Sequence, residues 1–257
     1  MRMTRTRTLG IRVDSLPSAD IPLLLDMFES GTPPVLCTFV NPASVAAAKR
    51  DDGYRQRLED FDAVLPDGIG MCWAIRLLHG MRPARISFDT TSLAPLVFAR
   101  AQRSRRTVAL VGGRPAIAEQ AAAQLRQAFP ALQIVATLDG YGNRRDKLRT
   151  LRALSPAVVI CGMGAGAQER YLLELAETGW RGAGFTCGGY LDQLAGGLHY
   201  YPRWVDAANL RWAYRLIREP RRLGRRYTID YGIFAARVAL ALVRSGLVSE
   251  HRRERRA

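Results

Sequence analysis

Several residue types and patterns are scarce or missing, and each absence removes a class of function. Of 38 basic residues only Lys49 and Lys147 are lysine. The arginine excess favours bidentate contact with phosphate, although a GC-rich genome produces the same bias. Four cysteines (Cys37, Cys72, Cys161, Cys187) are scattered, with no CxxC pair and no histidine at ligand spacing. They exclude a zinc ribbon or a disulfide framework and read as small buried apolar residues in a reducing compartment. The three histidines, His79, His199 and His251, fall in loops or in the tail, so no Ser-His-Asp arrangement is supported. A DxD carboxylate pair is missing; Asp51-Asp52 is merely adjacent and reads as surface. No metal and no cofactor is therefore expected. No apolar run approaches the roughly 20 residues of a membrane span. The opening MRMTRTRTLGIRVD carries positive charge without the apolar stretch of a signal peptide. Internal repeats and low-complexity segments are missing too. These features predict a protein that begins and stays in the cytoplasm.

What is present is a chain of 257 residues, 48% hydrophobic, with a formal net charge of +15. That is long enough for one large domain, or one domain with an appendage. The charge is uneven: from Arg203 onward there are 14 arginines and 5 acidic residues. Such a tail suits nucleic acid, an anionic membrane surface or a phosphate-bearing substrate.

Short apolar runs alternate with helical stretches. PVLCTFV (34–40), AVL (63–65), TVALVGG (107–113), QIVATLDGYG (133–142), AVVICGMG (157–164) and GAGFTCGG (182–189) read as strands and strand-end turns. Between them, 44–61, 70–80, 92–104, 115–130, 144–156 and 167–179 have helical composition. Continuous apolar strands separated by helices predict an α/β domain: a Rossmann-like, mainly parallel sheet covered on both faces. This core is expected over 1–195, followed by an Arg-rich, largely helical appendage over 196–257. In the appendage, Asp230, Arg237 and Arg244 share one side of a wheel, and Ile229, Ile233, Leu240, Val243 and Leu247 the other. An amphipathic helix in a membrane interface and a helix docked on the sheet both fit.

Two strand-end turns are glycine-rich: Gly112-Gly113, and the stretch around Gly162 and Gly164. Such turns let backbone N–H groups approach a phosphate, or serve close packing. GMGAG is not GxGxxG, which argues against a dinucleotide-dependent oxidoreductase. Asp67 follows one strand and precedes a helix, where it can cap the helix or act as a base. Thr38 and Asn41 end the preceding strand, and Asp139-Gly140-Tyr141-Gly142 a later one. Polar groups thus converge on one sheet edge, where open α/β sheets bind ligands.

Together, TFVNPASV (38–45), DAVLPDGIGMCWAIRLLHG (62–80), FDTTSL (88–93), VALVGGRPAIAEQAAAQL (108–125), FPALQIVATLDGYG (129–142), AVVICGMGAGAQE (157–169) and the stretch 187–227 resemble the WecG/TagA/CpsF family of bacterial glycosyltransferases. The resemblance covers about residues 10–235, in order. It implies an inverting enzyme that moves a sugar from a UDP-sugar to a polyprenyl-diphosphate-linked sugar at the inner membrane face. Asp67 then matches the general base, and Thr38 and Asn41 positions near the acceptor sugar. Gln168 and Glu169 match a pair on the nucleotide-sugar side; Gly112, Gly113, Asp139, Gly140, Tyr141, Gly162 and Gly164, at the same sheet edge, are taken with them as candidate nucleotide-sugar contacts. Arg215, Arg218, Arg221, Arg222, Arg225 and Arg226 are candidates to neutralise the leaving diphosphate or bind membrane phosphate.

Two departures bear on the donor. Gly166-Ala167 stands where the family usually has Pro-Lys, and Tyr200-Tyr201-Pro202-Arg203-Trp204 lacks an arginine usual before Ala-Pro-x-Trp. Both resemble a branch that adds glucose during exopolysaccharide synthesis, and disfavour N-acetylmannosamine. The resemblance and its departures favour UDP-glucose as donor and a peripheral position on the inner membrane surface; the missing DxD pair predicts no metal, and a homo-oligomer is possible. The rival is a nucleic-acid-binding module using the tail; the tail's apolar face and aromatics suit a membrane interface at least as well, so no nucleic-acid partner is expected.

Overall fold

In the computed structural model, residues 3–30, 34–197, 205, 211–218, 224 and 226–254 are described. Their strands are β1 (Thr4–Thr8), β2 (Ile11–Ser15), β3 (Val35–Val40), β4 (Ala63–Pro66), β5 (Thr107–Gly112), β6 (Gln133–Leu138), β7 (Val158–Gly162) and β8 (Ala183–Thr186). The last six form one sheet in the order β4-β3-β8-β7-β5-β6. Every pairing in it is parallel. Up to residue 197 the α-helices are α1 (Ile21–Ser30), α2 (Pro42–Arg50), α3 (Asp52–Glu59), α4 (Ile69–His79), α5 (Leu93–Arg103), α6 (Ile117–Ala128), α7 (Arg144–Leu154), α8 (Ala167–Glu177) and α9 (Tyr190–Ala195); Arg211–Arg218 and Tyr231–Glu254 are helical after it. The expected helix over 44–61 is two helices, because Asp51 takes an extended conformation between them (φ −139°, ψ 101°).

The period-two alternation of strand side chains divides the core into two apolar layers. Val108, Leu110, Val158 and Ile160 face a layer built with α1, α5, α6 and α9. Ala109, Val111, Val159 and Cys161 face the other, built with α2, α3, α4, α7 and α8. This is the expected sheet with helices on both faces.

The N-terminal hairpin and α1 are not anticipated by the sequence reading. β1 and β2 pair antiparallel across a two-residue turn, Leu9-Gly10, with both φ positive (54° and 89°). That is the turn geometry that matches strand twist. β2 is wholly buried and carries an ion pair, Arg12 to Asp14 at 2.6 Å, with both side chains almost fully enclosed. Enclosed charges are costly unless every donor and acceptor is used. Here they are: Arg12 also donates to the carbonyls of Leu58, Glu59, Phe61 and Asp62. Asp14 accepts the N–H of Val64 (3.0 Å), a group of the edge strand β4. The hairpin thereby covers an edge that would otherwise present unpaired N–H groups.

The C-terminal helix, Tyr231–Glu254, adds Phe234 and Val238 to the second apolar layer. Two polar residues also hold it: Asp230, just before it, pairs with Arg50 (3.1 Å), and Arg237 donates to the carbonyl of Leu9 (3.0 Å), whereas Arg244 is exposed. Ile229, Ile233, Leu240 and Val243 are exposed. The side chain of Leu247 lies outside the described residues. Among the described residues, no helix is long and apolar enough to cross a membrane.

Removing one member of a buried ion pair strands the other. Asp14→Ala is expected to cost about 3 kcal/mol or more of folding stability. Urea denaturation of the two proteins checks this.

Candidate functional site

The carboxyl ends of all six strands of the large sheet open into one cavity of about 1170 Å³. In sheet order its floor runs from Asp67 after β4, through Asn41 after β3 and Thr186-Cys187 at β8, to Gly162-Met163 at β7, Gly113-Arg114 after β5, and Asp139-Gly140 after β6. Strands lie about 4.8 Å apart, so the four spacings from β4 to β5 separate Asp67 from Arg114 by roughly 19 Å along the edge.

At the β4 end, the backbone N–H of Asp67 donates to the carbonyl of Val40 (2.8 Å), extending the β3–β4 pairing by one residue. The N-cap position of α4 is held by Gly68 at φ +80°, so Asp67 stands one residue outside it. A methyl at Gly68 would meet nothing within 4 Å. The requirement there is conformational, not spatial. The carbonyl of Pro66 accepts the N–H of Ile86 (3.1 Å), which brings the 81–89 loop over this end. The loop delivers Arg85, Ser87 and Asp89 to the cavity wall. Arg85 donates to Ser87 Oγ (2.7 Å) and Asp89 Oδ2 (2.7 Å), and Ser87 donates to the same carboxylate oxygen. Burial and then the charge of Asp67 push the Cys72 thiol up to about 11, while Arg85 pulls the other way. Asp67 and Arg85 therefore both act on that thiol from the same end of the cavity.

In the centre, Glu169 is fully buried and accepts three hydrogen bonds. Thr38 Oγ1 (2.8 Å) and Gln168 Nε2 (3.0 Å) donate to Oε1, and the Gly166 N–H (2.6 Å) donates to Oε2. Thr38 also shares a hydrogen bond with Thr186 (2.8 Å), and Gln168 Oε1 accepts the N–H of Gly188 (3.1 Å). Thr38 and Glu169 stand behind the cavity wall rather than in it; Gln168 reaches the lining. The structure thus gives Thr38 and Glu169 a position that supports the wall from behind.

At the far end, Gly112 is needed for close approach. A Cβ there would sit 2.1 Å from the carbonyl oxygen of Gly162, so the β5 and β7 ends could not close together. Gly112 therefore lies behind the lining, while Gly113, Gly162 and Gly164 border the cavity. Lys147, one of the two lysines, bonds Asp139 Oδ1 (2.8 Å), the Asp139 carbonyl (2.8 Å) and the Tyr141 carbonyl. It pins the 139–142 turn and leaves the Tyr141 ring exposed at the cavity. Arg114 lines the cavity with no acidic partner among the described residues. The sequence reading did not pick out Arg85, Ser87, Asp89, Arg114 or Lys147; FDTTSL contained Asp89 and GGRPA contained Arg114 without marking a role. Arg221, Arg222 and Arg225 lie outside the described residues, as do the side chains of Arg215, Arg218 and Arg226.

Burial raises the Glu169 carboxyl above its ordinary 4.5, against the hydrogen bonds from Gln168 and Thr38 that favour its charged form. A carboxyl raised on folding stabilises the fold on the acid side, and that contribution declines as pH rises from about 4.5 towards the folded-state value. Glu169→Gln has no proton to lose. The wild type's stability margin over this variant should therefore be largest in acid and shrink as pH rises; urea midpoints across a pH series test it, and a margin that grows with pH contradicts it.

The chain is 29% identical over 203 residues to a UDP-Gal:alpha-D-GlcNAc-diphosphoundecaprenol beta-1,4-galactosyltransferase of Shigella boydii, covering 78% of this chain and 84% of that one. It is 26% identical over 192 residues to an N-acetylglucosaminyldiphosphoundecaprenol N-acetyl-beta-D-mannosaminyltransferase of Bacillus subtilis, covering 74% of each. The corresponding enzyme of Bacillus spizizenii is also 26% identical over 192 residues, covering 74% of this chain and 73% of its own. The pattern of the glycosyl transferase WecG/TagA/CpsF family matches residues 6–247, and the chain belongs to that family.

Proposed function

We propose that this protein transfers a hexose from a UDP-sugar to a polyprenyl-diphosphate-linked sugar, with inversion at the anomeric carbon, in bacterial exopolysaccharide synthesis. The observation that carries the reading is the polarity of the cavity. A carboxylate, Asp67, stands at the β4 end, and glycine turns with Arg114 and the exposed Tyr141 stand at the β5–β6 end. The roughly 19 Å between them accommodates an acceptor sugar and a nucleotide sugar side by side. The relatives' names describe transfer to sugars carried on diphosphoundecaprenol, which supports the same acceptor class here.

Chemically, Asp67 takes the proton of the acceptor hydroxyl as its oxygen attacks the anomeric carbon. The bond from that carbon to the UDP oxygen breaks on the opposite face, and the electron pair leaves with the diphosphate. Backbone N–H groups of the glycine turns, Arg114 and the tail arginines neutralise the departing charge without a metal. Asp67 then returns its proton to water.

UDP-glucose is the favoured donor. Ala167 lines the cavity where the family usually places a lysine, so this chain offers its donor a different surface. The galactosyl relative supports a plain hexose, and N-acetylmannosamine is the alternative donor. UDP release from UDP-glucose, UDP-galactose and UDP-N-acetylmannosamine, each with a prenyl-diphosphate-sugar acceptor, decides among them. Release with none of them would remove the reading.

Asp67→Asn should lower transfer by about 10²-fold or more with the fold intact, and wild-type turnover would refute the base assignment. Arg114→Ala should raise the KM for the donor about tenfold, the scale of one charged hydrogen bond, with the wild type still active in EDTA. Strict loss in EDTA that Mg²⁺ restores would overturn neutralisation by arginine and backbone.

A further inference from the structure

Helix α4 buries one face, Met71, Ala74 and Ile75, against the second apolar layer. Its opposite face carries Ile69, Trp73 and Leu77 at i, i+4 and i+8, each more than half exposed (57%, 53% and 51%). Residues at that spacing form a single row along a helix. Isolated exposed apolar residues need no explanation, but three large ones in one row do.

We infer that this row is a membrane-docking edge: it seats the mouth of the cavity on an anionic lipid surface. The inference deepens the proposed function and rests on its lipid-linked acceptor. Three observations select a lipid surface as the occupant. The row is continuous with the site, because Ile69 also lines the cavity and lies two residues beyond Asp67. The row mixes apolar and cationic groups, since the Arg76 guanidinium sits over the Trp73 ring, 5.8 Å from its centroid. Tryptophan beside arginine suits the headgroup boundary, where the ring enters the acyl edge and the cation meets phosphate. Finally, the C-terminal helix packs against α4 and also exposes apolar residues, Ile233, Leu240 and Val243, on a chain with a net charge of +15. Shallow insertion of such groups, with electrostatic attraction to anionic lipid, holds a protein on a bilayer without crossing it.

The test uses the full chain and the double variant Trp73→Ser/Leu77→Ser, which leaves every residue of the proposed chemistry in place. Co-sedimentation is measured with vesicles of phosphatidylethanolamine and phosphatidylglycerol, and with phosphatidylcholine alone. Removing two half-exposed apolar side chains should weaken binding to the anionic vesicles about tenfold or more, with weak binding of both proteins to phosphatidylcholine. Transfer to a water-soluble, short-chain prenyl-diphosphate-sugar should stay at the wild-type level, and transfer to a long-chain acceptor in vesicles should fall in step with binding. Unchanged vesicle binding overturns the inference. So does a wild-type dimer in gel filtration that the variant converts to monomer, because the row then covers a second copy. A wild type that binds vesicles through this row but transfers no sugar to either acceptor overturns the proposed function and leaves the docking edge standing.

Discussion

The cavity depends on one buried carboxylate. Glu169 lies in the first turn of α8 and draws in donors from three places: Thr38 on β3, its neighbour Gln168, and the Gly166 backbone. Thr38 passes the network to Thr186 at the end of β8, and Gln168 passes it to the Gly188 N–H. Two adjacent strand ends, one helix start and one turn are thus fixed to a single point behind the wall. A buried polar network of this kind is stable only when every member is satisfied, which makes its geometry nearly unique. The glycine turns can then stay open to the cavity, because their positions are set from behind and not by side chains of their own.

A second buried charge does comparable work at the sheet edge. Asp67 follows β4, a strand of four residues with one neighbour in the sheet, β3. Short edge strands fray unless their outer groups are used. Asp14 uses one, the Val64 N–H, while Arg12 gathers the carbonyls of the α3–β4 corner. The N-terminal hairpin therefore bears on the Asp67 end of the cavity without lining it. It also holds the C-terminal helix, through the Arg237 contact with the Leu9 carbonyl.

The parallel sheet was legible because its strands are short, continuous and apolar, and because each ends in glycine or a polar residue. The hairpin was not: Thr-Arg-Thr-Arg-Thr alternates, but both of its residue types are polar, and β2 buries a charged pair where hydropathy predicts exposure. The split at Asp51 escaped because helical composition runs through it, and only its backbone angles mark the break. At the site, Asp67 and Asn41 sit in the cavity wall, as their strand-end positions imply. Thr38 and Glu169 share the same motifs yet point into the protein, since a motif records which residues recur together and not which way each side chain faces. Arg85 and Asp89 were missed for the reverse reason. Their loop reaches the site through the Ile86 to Pro66 hydrogen bond and the packing of Phe88 on Phe39, Phe185 and Tyr190, contacts between segments 20 or more residues apart.

The placement of Asp67 also links the proposed chemistry to the proposed docking surface. Gly68 turns the chain at positive φ immediately after the carboxylate, and α4 starts at the next residue. The reversal points the exposed row of α4 away from the core while its first member, Ile69, still borders the cavity. A lipid-linked diphosphate is confined to headgroup depth, because its charge cannot enter the acyl region and its chain does not leave it. An enzyme that carried its base deep in the domain would have to draw the acceptor out of the membrane and expose the chain to water, at about 0.8 kcal/mol for each methylene. With the proposed base and the proposed docking edge separated by a single glycine, the sugar would reach Asp67 while the chain stays in the bilayer. On that proposal, the conformational freedom of Gly68 is what would join catalysis to the membrane.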